Sequence, residues 1–170
     1  MSPSRELTRQ LQEQKFLHAE AYVRNSAGTL KHMTTSELAH INQMLTGEGD
    51  EPWRLEPVEV TIPSGNIHHF NIVSNPIIQA REILGHAQDL AANGKVKEGA
   101  LYLYSKLVLS HFFRDANRRT AVLATLWLLQ SHQSDVNAVE LARLPIGDLR
   151  EAKDFEVLRA KLEQLIHKPI

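Results

Sequence analysis

The 170-residue sequence carries 19 Lys plus Arg against 20 Asp plus Glu, a formal net charge of -1, and 42% of its residues are hydrophobic. That length is one domain's worth and can bury a real core, while the balanced charge gives no global field to recruit nucleic acid or anionic lipid. Without cysteine there is no disulfide frame, cysteine-ligated metal or thiol catalysis, which fits a reducing compartment.

In chain order the pattern is mostly helical. Ser4 is positioned to cap a first helix over 5–24, closed by the break Asn25-Ser26-Ala27-Gly28. Thr34 or Thr35 opens a second helix through about 45, ended by Thr46-Gly47-Glu48-Gly49-Asp50. Thr34 with Glu37 has the spacing of a capping box. Residues 58–62 and 67–73 are rich in strand formers and meet around Ser64-Gly65-Asn66, a hairpin signature. Asn75-Pro76 starts a third helix over 76–92, broken at Asn93-Gly94. A fourth covers 96–110 and a fifth 117–130. Asp135 is placed to cap a short helix ending before Pro145, and Asp148 to cap the last one, to about 167. No repeat, low-complexity segment or interdomain linker interrupts the chain, so one domain over 1–170 is expected. The fold class is mainly α with one small β-hairpin.

Between the fourth and fifth helices lies His111-Phe112-Phe113-Arg114-Asp115-Ala116-Asn117-Arg118-Arg119. A chain selected only for packing would not gather so many polar groups between two apolar helices. Asp115 is the one carboxylate, and a single carboxylate with substrate phosphates is how magnesium is held in phosphoryl-transfer sites. Arg118 and Arg119 present planar forks that match phosphate oxygens. The loop ends at a helix N-terminus, whose orphan amides and dipole attract anions. His111, with an unperturbed pKa near neutrality, suits a general base acting on a hydroxyl. Base, metal carboxylate and phosphate clamp together imply phosphoryl or nucleotidyl transfer. Phe112 and Phe113 are expected to be buried anchors, Arg114 a solvated charge, and Thr120 a backbone partner without chemistry.

At these residues the sequence resembles the Fic/Doc family, whose signature reads His-x-Phe-x-Asp/Glu-Gly/Ala-Asn-Gly/Lys-Arg. It matches at His111, Phe113, Asp115, Ala116, Asn117 and Arg119. The resemblance implies a Fic-type helical bundle with a β-hairpin flap over 58–73 and an active-site loop over 111–119. It implies His111 as the base that deprotonates a target hydroxyl and Asp115 as the magnesium ligand. Ala116, Asn117, Arg118, Arg119 and the loop amides are implied to hold the phosphates of ATP. Family enzymes mostly transfer AMP from ATP onto Ser, Thr or Tyr of a protein. Val122 stands where many AMP-transferring members carry a second arginine, and Arg118 where they carry glycine. Ala116, Arg118 and Val122 together lie nearer the Doc branch, which transfers the terminal phosphate. Both donor orientations therefore stay open, with a choline-phosphate donor as a rarer third and a non-catalytic binding fold as an alternative class.

An isolated hairpin is marginally stable and free to pair with another chain. In the family such a flap positions the target segment by strand-like contacts, which here assigns target docking to Ile62, Ser64, Gly65, Asn66, Ile67 and His68. His68 and His69 are adjacent in a strand, so they point to opposite faces and do not share an ion. The self-inhibitory Ser/Thr-x-x-x-Glu-Gly/Asn pattern of some members is not completed over 34–38. The resemblance leaves room for a separate antitoxin, and the long terminal helices for a second copy of the chain. Nucleic-acid binding through Arg114, Arg118 and Arg119 is disfavoured by the balanced charge. Met1-Ser2-Pro3-Ser4-Arg5-Glu6 lacks an apolar signal core and no apolar run has the length of a membrane span. The expected setting is cytoplasmic, away from membranes.

Overall fold

The fifth helix explains the architecture. Its stretch from Thr120 to Leu129 is apolar on every side, and such a helix has to be central. In the computed structural model, which describes residues 3–29, 32–47, 49 and 51–169, every side chain of that stretch is buried. Among the described residues the chain forms α1 (Pro3–Ala27), α2 (Thr35–Thr46), β1 (Val58–Thr61), β2 (Ile67–Phe70), α3 (Pro76–Ala92), α4 (Val96–Ser110), α5 (Asn117–Ser131), α6 (Ala138–Arg143) and α7 (Ala152–Leu165). Helices α1, α2, α3, α4 and α6 pack around α5, and α7 lies against α4. Trp127, Leu123, Leu126 and Tyr104 sit at the centre of one connected apolar cluster. Close approach of α3 and α4 depends on Gly99, where an added Cβ would lie 2.8 Å from the Ala87 carbonyl oxygen.

Local sequence rules account for most boundaries. Thr34 caps α2 through its side chain and Glu37 returns the bond to the Thr34 amide at 2.8 Å, completing the capping box. Gly47 closes α2 in the left-handed region, its N–H donating to Gln43 O. Pro76 starts α3 and Asn93-Gly94 end it, as the sequence predicts. Glu48 and Asp50 of the predicted break after α2, and Met1 and Ser2 at the start of the chain, lie outside the described residues.

β1 and β2 pair antiparallel from Val58↔Phe70 to Thr61↔Ile67. The turn is closed by Ile62 N–H donating to Asn66 O at 3.0 Å, with Gly65 at φ 94°. The strands are shorter than the predicted 58–62 and 67–73: Ile62 falls in the turn, and Asn71 gives its carbonyl to Arg54.

The ends of α1, α6 and α7 differ from expectation. α1 begins at Pro3, so Ser4 lies within it, and it continues through Asn25 and Ser26 to Ala27. Asp135 does not cap α6. Its carboxylate accepts from Val136 N–H and Arg24 Nη1, and its backbone bridges His167, so Asn137 provides the cap, accepting from Glu140 N–H at 3.0 Å. Asp148 does not cap α7, which begins after Glu151. Its carboxylate is engaged by the hairpin. The bridge from His167 to Asp135 also stops α7 at Leu165.

Candidate active site

The loop between α4 and α5 is bent by two left-handed residues. His111 ends α4 at φ 50°, and Ala116 precedes α5 at φ 58°. A side chain in this region costs on the order of 1–3 kcal/mol and persists only where its surroundings enforce it. The enforcement is visible. Phe112 and Phe113 are both buried against Trp53, whose ring centroid lies 6.2 and 4.8 Å from theirs. Trp53 bridges Phe113 as a short strand pair, and Arg54 N–H donates to Phe112 O at 2.8 Å. Asn117 closes the loop on itself. Its Oδ1 accepts from Phe113 N–H and its Nδ2 donates to Phe113 O, both at 2.9 Å. From α2, Asn42 Nδ2 donates to Asp115 O and to Thr120 Oγ1.

This loop lines a cleft of about 610 Å³. It is lined by Val60, Ile62 and His68 of the hairpin, by His111, Asp115 and Arg119, and by Ile146 and Leu149 from the segment between α6 and α7. The amides at the start of α5 have no intrahelical partners, and Ala116, Asn117 and Arg118 border the same cleft.

The His111 imidazole is half-buried and stacks on Phe70, 4.6 Å between centroids at 18°. Burial, and then the nearby Arg54 cation, push its pKa down to about 4 against a smaller opposing pull from Asp115. It is therefore neutral at physiological pH, the form a proton acceptor needs.

Asp115 is open to solvent, with its side chain 75% exposed. One carboxylate oxygen takes Ala116 N–H at 2.7 Å, and Oδ2 lies 3.9 Å from Arg119 Nη2. Among the described residues no three His, Asp or Glu side chains gather into a metal cage. One exposed carboxylate beside the open N-terminal amides of α5 has the chemistry to hold a magnesium ion shared with phosphate oxygens. Arg119 borders the cleft with its guanidinium largely buried, and its Nη1, closed off from solvent, has no partner within the described protein.

The other predicted residues divide. Asn117 turns its side-chain amide inward to Phe113, so it offers phosphate only its backbone N–H. Arg118 borders the cleft, but its guanidinium donates to Tyr104 Oη at 3.0 Å and to the Leu144 carbonyl. Arg114 is exposed and reaches Glu51 O. In the hairpin, Ser64, Gly65 and Ile67 face solvent. His69 also faces out while His68 faces in, with side chains 69% and 7% exposed. His68 Nε2 lies 2.9 Å from Asp148 Oδ1, and Asn66 Nδ2 donates to Asp148 Oδ2 at 2.8 Å.

The same arrangement of helices and hairpin recurs in solved structures. A Fic-domain signaling protein from Bacteroides thetaiotaomicron superimposes with a TM-score of 0.62 at 15% identity, over 78% of this chain and 53% of that one. The chain has the Fic fold. A Fic domain of IbpA, in complex with adenylylated Cdc42, gives 0.63 at 16% identity over 97% and 57% of the two chains. BepC from Bartonella tribocorum, with bound AMPPNP, gives 0.56 at 14% over 95% and 89%. The chain thus spans little more than half the length of the first two. No family model matches the sequence, and no curated protein sequence does. In this Fic fold residues 111–116 join α4 to α5, with Asn117, Arg118 and Arg119 in the first turn of α5, and no described helix is long and apolar enough to cross a membrane.

Sequence reasoning missed Arg54, Phe70, Tyr104 and Asp148. Arg54 and Asp148 sit in irregular segments where no periodicity marks them. Phe70 lay within the predicted hairpin, but nothing in the sequence marked it as the partner of His111.

Proposed function

We propose that the chain is a Fic-type transferase that moves AMP from ATP onto a Ser, Thr or Tyr hydroxyl of a target protein, with His111 as base. The observation that carries this is one cleft bordered by a neutral imidazole, an exposed carboxylate and Arg119, whose guanidinium meets that carboxylate only at 3.9 Å. The target O–H gives its proton to His111 while its oxygen bonds to the α-phosphorus. The bond from that phosphorus to the bridging oxygen breaks, and pyrophosphate leaves. Arg119 and the α5 amides hold phosphate oxygens, and positioning with charge stabilisation supplies most of the rate. Asp115 would hold magnesium, which neutralises phosphate charge when bound.

The hairpin edge offers the target a strand to pair with, and Ile62 and His68 border the route to His111. The IbpA relative in complex with adenylylated Cdc42 and the AMPPNP-bound BepC support nucleotide transfer to a protein as the reading. A cytoplasmic target fits it, and a toxin held by an antitoxin is one biological form it takes.

One observation favours the Doc-like alternative, transfer of the terminal phosphate. Val122, where a second arginine would grip the terminal phosphates, is fully buried in the core, so no cation stands there. ATP labelled at the α- or the γ-phosphate, incubated with protein, magnesium and cell lysate, separates the two, with His111→Ala as control. Label from the α-position establishes AMP transfer. Label from the γ-position alone replaces it with kinase activity, and no label from either rejects both.

A further inference from the structure

Arg54 lies in the segment between α2 and β1, 57 residues before the loop it serves. Its residue is 5% exposed, and among the described residues no carboxylate pairs with it. An unpaired buried cation is costly, so the position has to reward a guanidinium specifically. The reward is a set of backbone carbonyls. Nε donates to His111 O at 2.8 Å, Nη1 to Phe70 O at 3.3 Å and to the Glu56 carbonyl, and Nη2 to Asn71 O at 3.0 Å. Only a planar fork with five donors spans carbonyls from three separate segments.

Two of those segments meet again at their side chains. The Phe70 ring stacks on the His111 imidazole, 4.6 Å away and inclined by 18°. The plane that binds the His111 carbonyl therefore also binds the carbonyl of the residue whose ring covers the imidazole. His111 needs such support, because its backbone is held in the left-handed region, φ 50° and ψ 52°, which the chain would otherwise leave.

We propose that Arg54 is the positioning residue of His111, fixing the base from both sides by holding its backbone and the aromatic ring stacked on it. The inference rests on the reading of His111 as the base and adds what sets its orientation. Arg54 touches no reacting atom. Its effect reaches chemistry through the direction of one imidazole, and displacement of a reacting group by about 1 Å costs on the order of a hundredfold in rate. The same cation contributes to the lowered His111 pKa, so geometry and protonation state are supported by one side chain.

The test is the NMR signature of the His111 ring in the full chain. Phe70→Leu removes the stacked ring and defines the ring-current displacement it causes. Arg54→Met keeps the length and loses the donors. The expected result is a His111 signal shifted most of the way to its Phe70→Leu position, ADP affinity in magnesium kept within about twofold, and transfer at least about tenfold slower. A folded Arg54→Met protein whose His111 signal stays at the wild-type position overturns the inference. So does parallel loss of ADP binding, which would place the effect on the phosphate loop. If Arg54→Met does not fold, Arg54→Lys, with three donors on one point, has to show the same shift or the inference fails. A wild-type protein without transfer activity rejects the proposed function, while the ring signals still decide the role of Arg54.

Discussion

The carboxylate of Asp148 clasps His68, Oδ1 to Nε2 at 2.9 Å, and its second oxygen takes Asn66 Nδ2. The connection between α6 and α7 thereby holds the turn and inner face of the hairpin over the cleft. Asp148 is itself fixed by Arg150 N–H, and its backbone amide donates to Asp154. The hairpin is therefore tied at its root by Arg54 and near its turn by Asp148.

Release of the clasp is predicted to loosen the hairpin and leave the helices intact. The His68 ring and then Asn66 hold the Asp148 carboxyl down to about 2. A depressed carboxylate contributes stability above its unfolded pKa and loses it as pH falls through the folded value, so this contribution fades from about pH 4 towards 2. Asp148→Ala should raise hydrogen exchange at Asn66 and His68 by about tenfold or more at neutral pH, the scale of losing charge-assisted bonds. Exchange in α5 should stay unchanged. Equal exchange at the hairpin in both proteins would show that the clasp does not hold it.

With His111 as the proposed base, its imidazole would set the acid limb of activity. With His111 lowered to about 4, the neutral form dominates from about pH 5 upward, and the rate is predicted to be flat between about pH 6 and 8 on this group's account. The rate should fall tenfold per pH unit below about 4. Because the unfolded imidazole takes its proton near 6.5 and the folded one near 4, stability contributed by neutral burial is lost as pH falls across that window. An acid limb centred near 6.5 in the transfer assay would contradict the burial of this ring.

Asn117 is predicted to matter for the fold of the loop. Its amide satisfies both backbone groups of Phe113 in a buried setting. Asn117→Ala leaves a donor and an acceptor without partners, at a cost of about 2–4 kcal/mol. Urea unfolding should show that loss as a lower midpoint with unchanged slope. Asn117→Asp keeps the acceptor but sets a carboxylate beside Phe113 O, so it should be no milder. A stability change below about 0.5 kcal/mol in both would mean that Phe112 and Phe113 hold the loop alone.

The same residue shows what the sequence could and could not reveal. Helices α3 and α4 were legible to the residue because Pro76, Asn93-Gly94 and the apolar period mark them, and the capping box at Thr34 announced α2. The loop was legible because its residue types conflict with the core around it. The role of Asn117 was not, since one amide serves equally a phosphate or a backbone. Arg54 left no trace because its partners are carbonyls, which every residue has. Asp135 and Asp148 sat where caps belong, and long-range partners, Arg24 with His167 and the hairpin, claimed them instead.

Arg118 and Arg119 are neighbours in sequence with opposite predicted effects. Arg118 is bound to Tyr104 Oη and the Leu144 carbonyl, and it also tempers the upward push that burial gives the Tyr104 hydroxyl. Arg118→Ala removes these bonds and should destabilise the fold by about 1–3 kcal/mol while changing ADP affinity little. Arg119 keeps Nη1 without a protein partner, and its nearest carboxylate oxygen stands 3.9 Å away. Arg119→Ala should therefore cost the fold less than Arg118→Ala, and weaken ADP binding by about ten- to a hundredfold, the loss of a charge-assisted contact. Calorimetric titration with ADP and magnesium on both variants, beside their unfolding curves, reads the two effects separately. If Arg118→Ala proves the weaker nucleotide binder, its bonds to Tyr104 and Leu144 give way to phosphate, and the division between the two arginines is wrong.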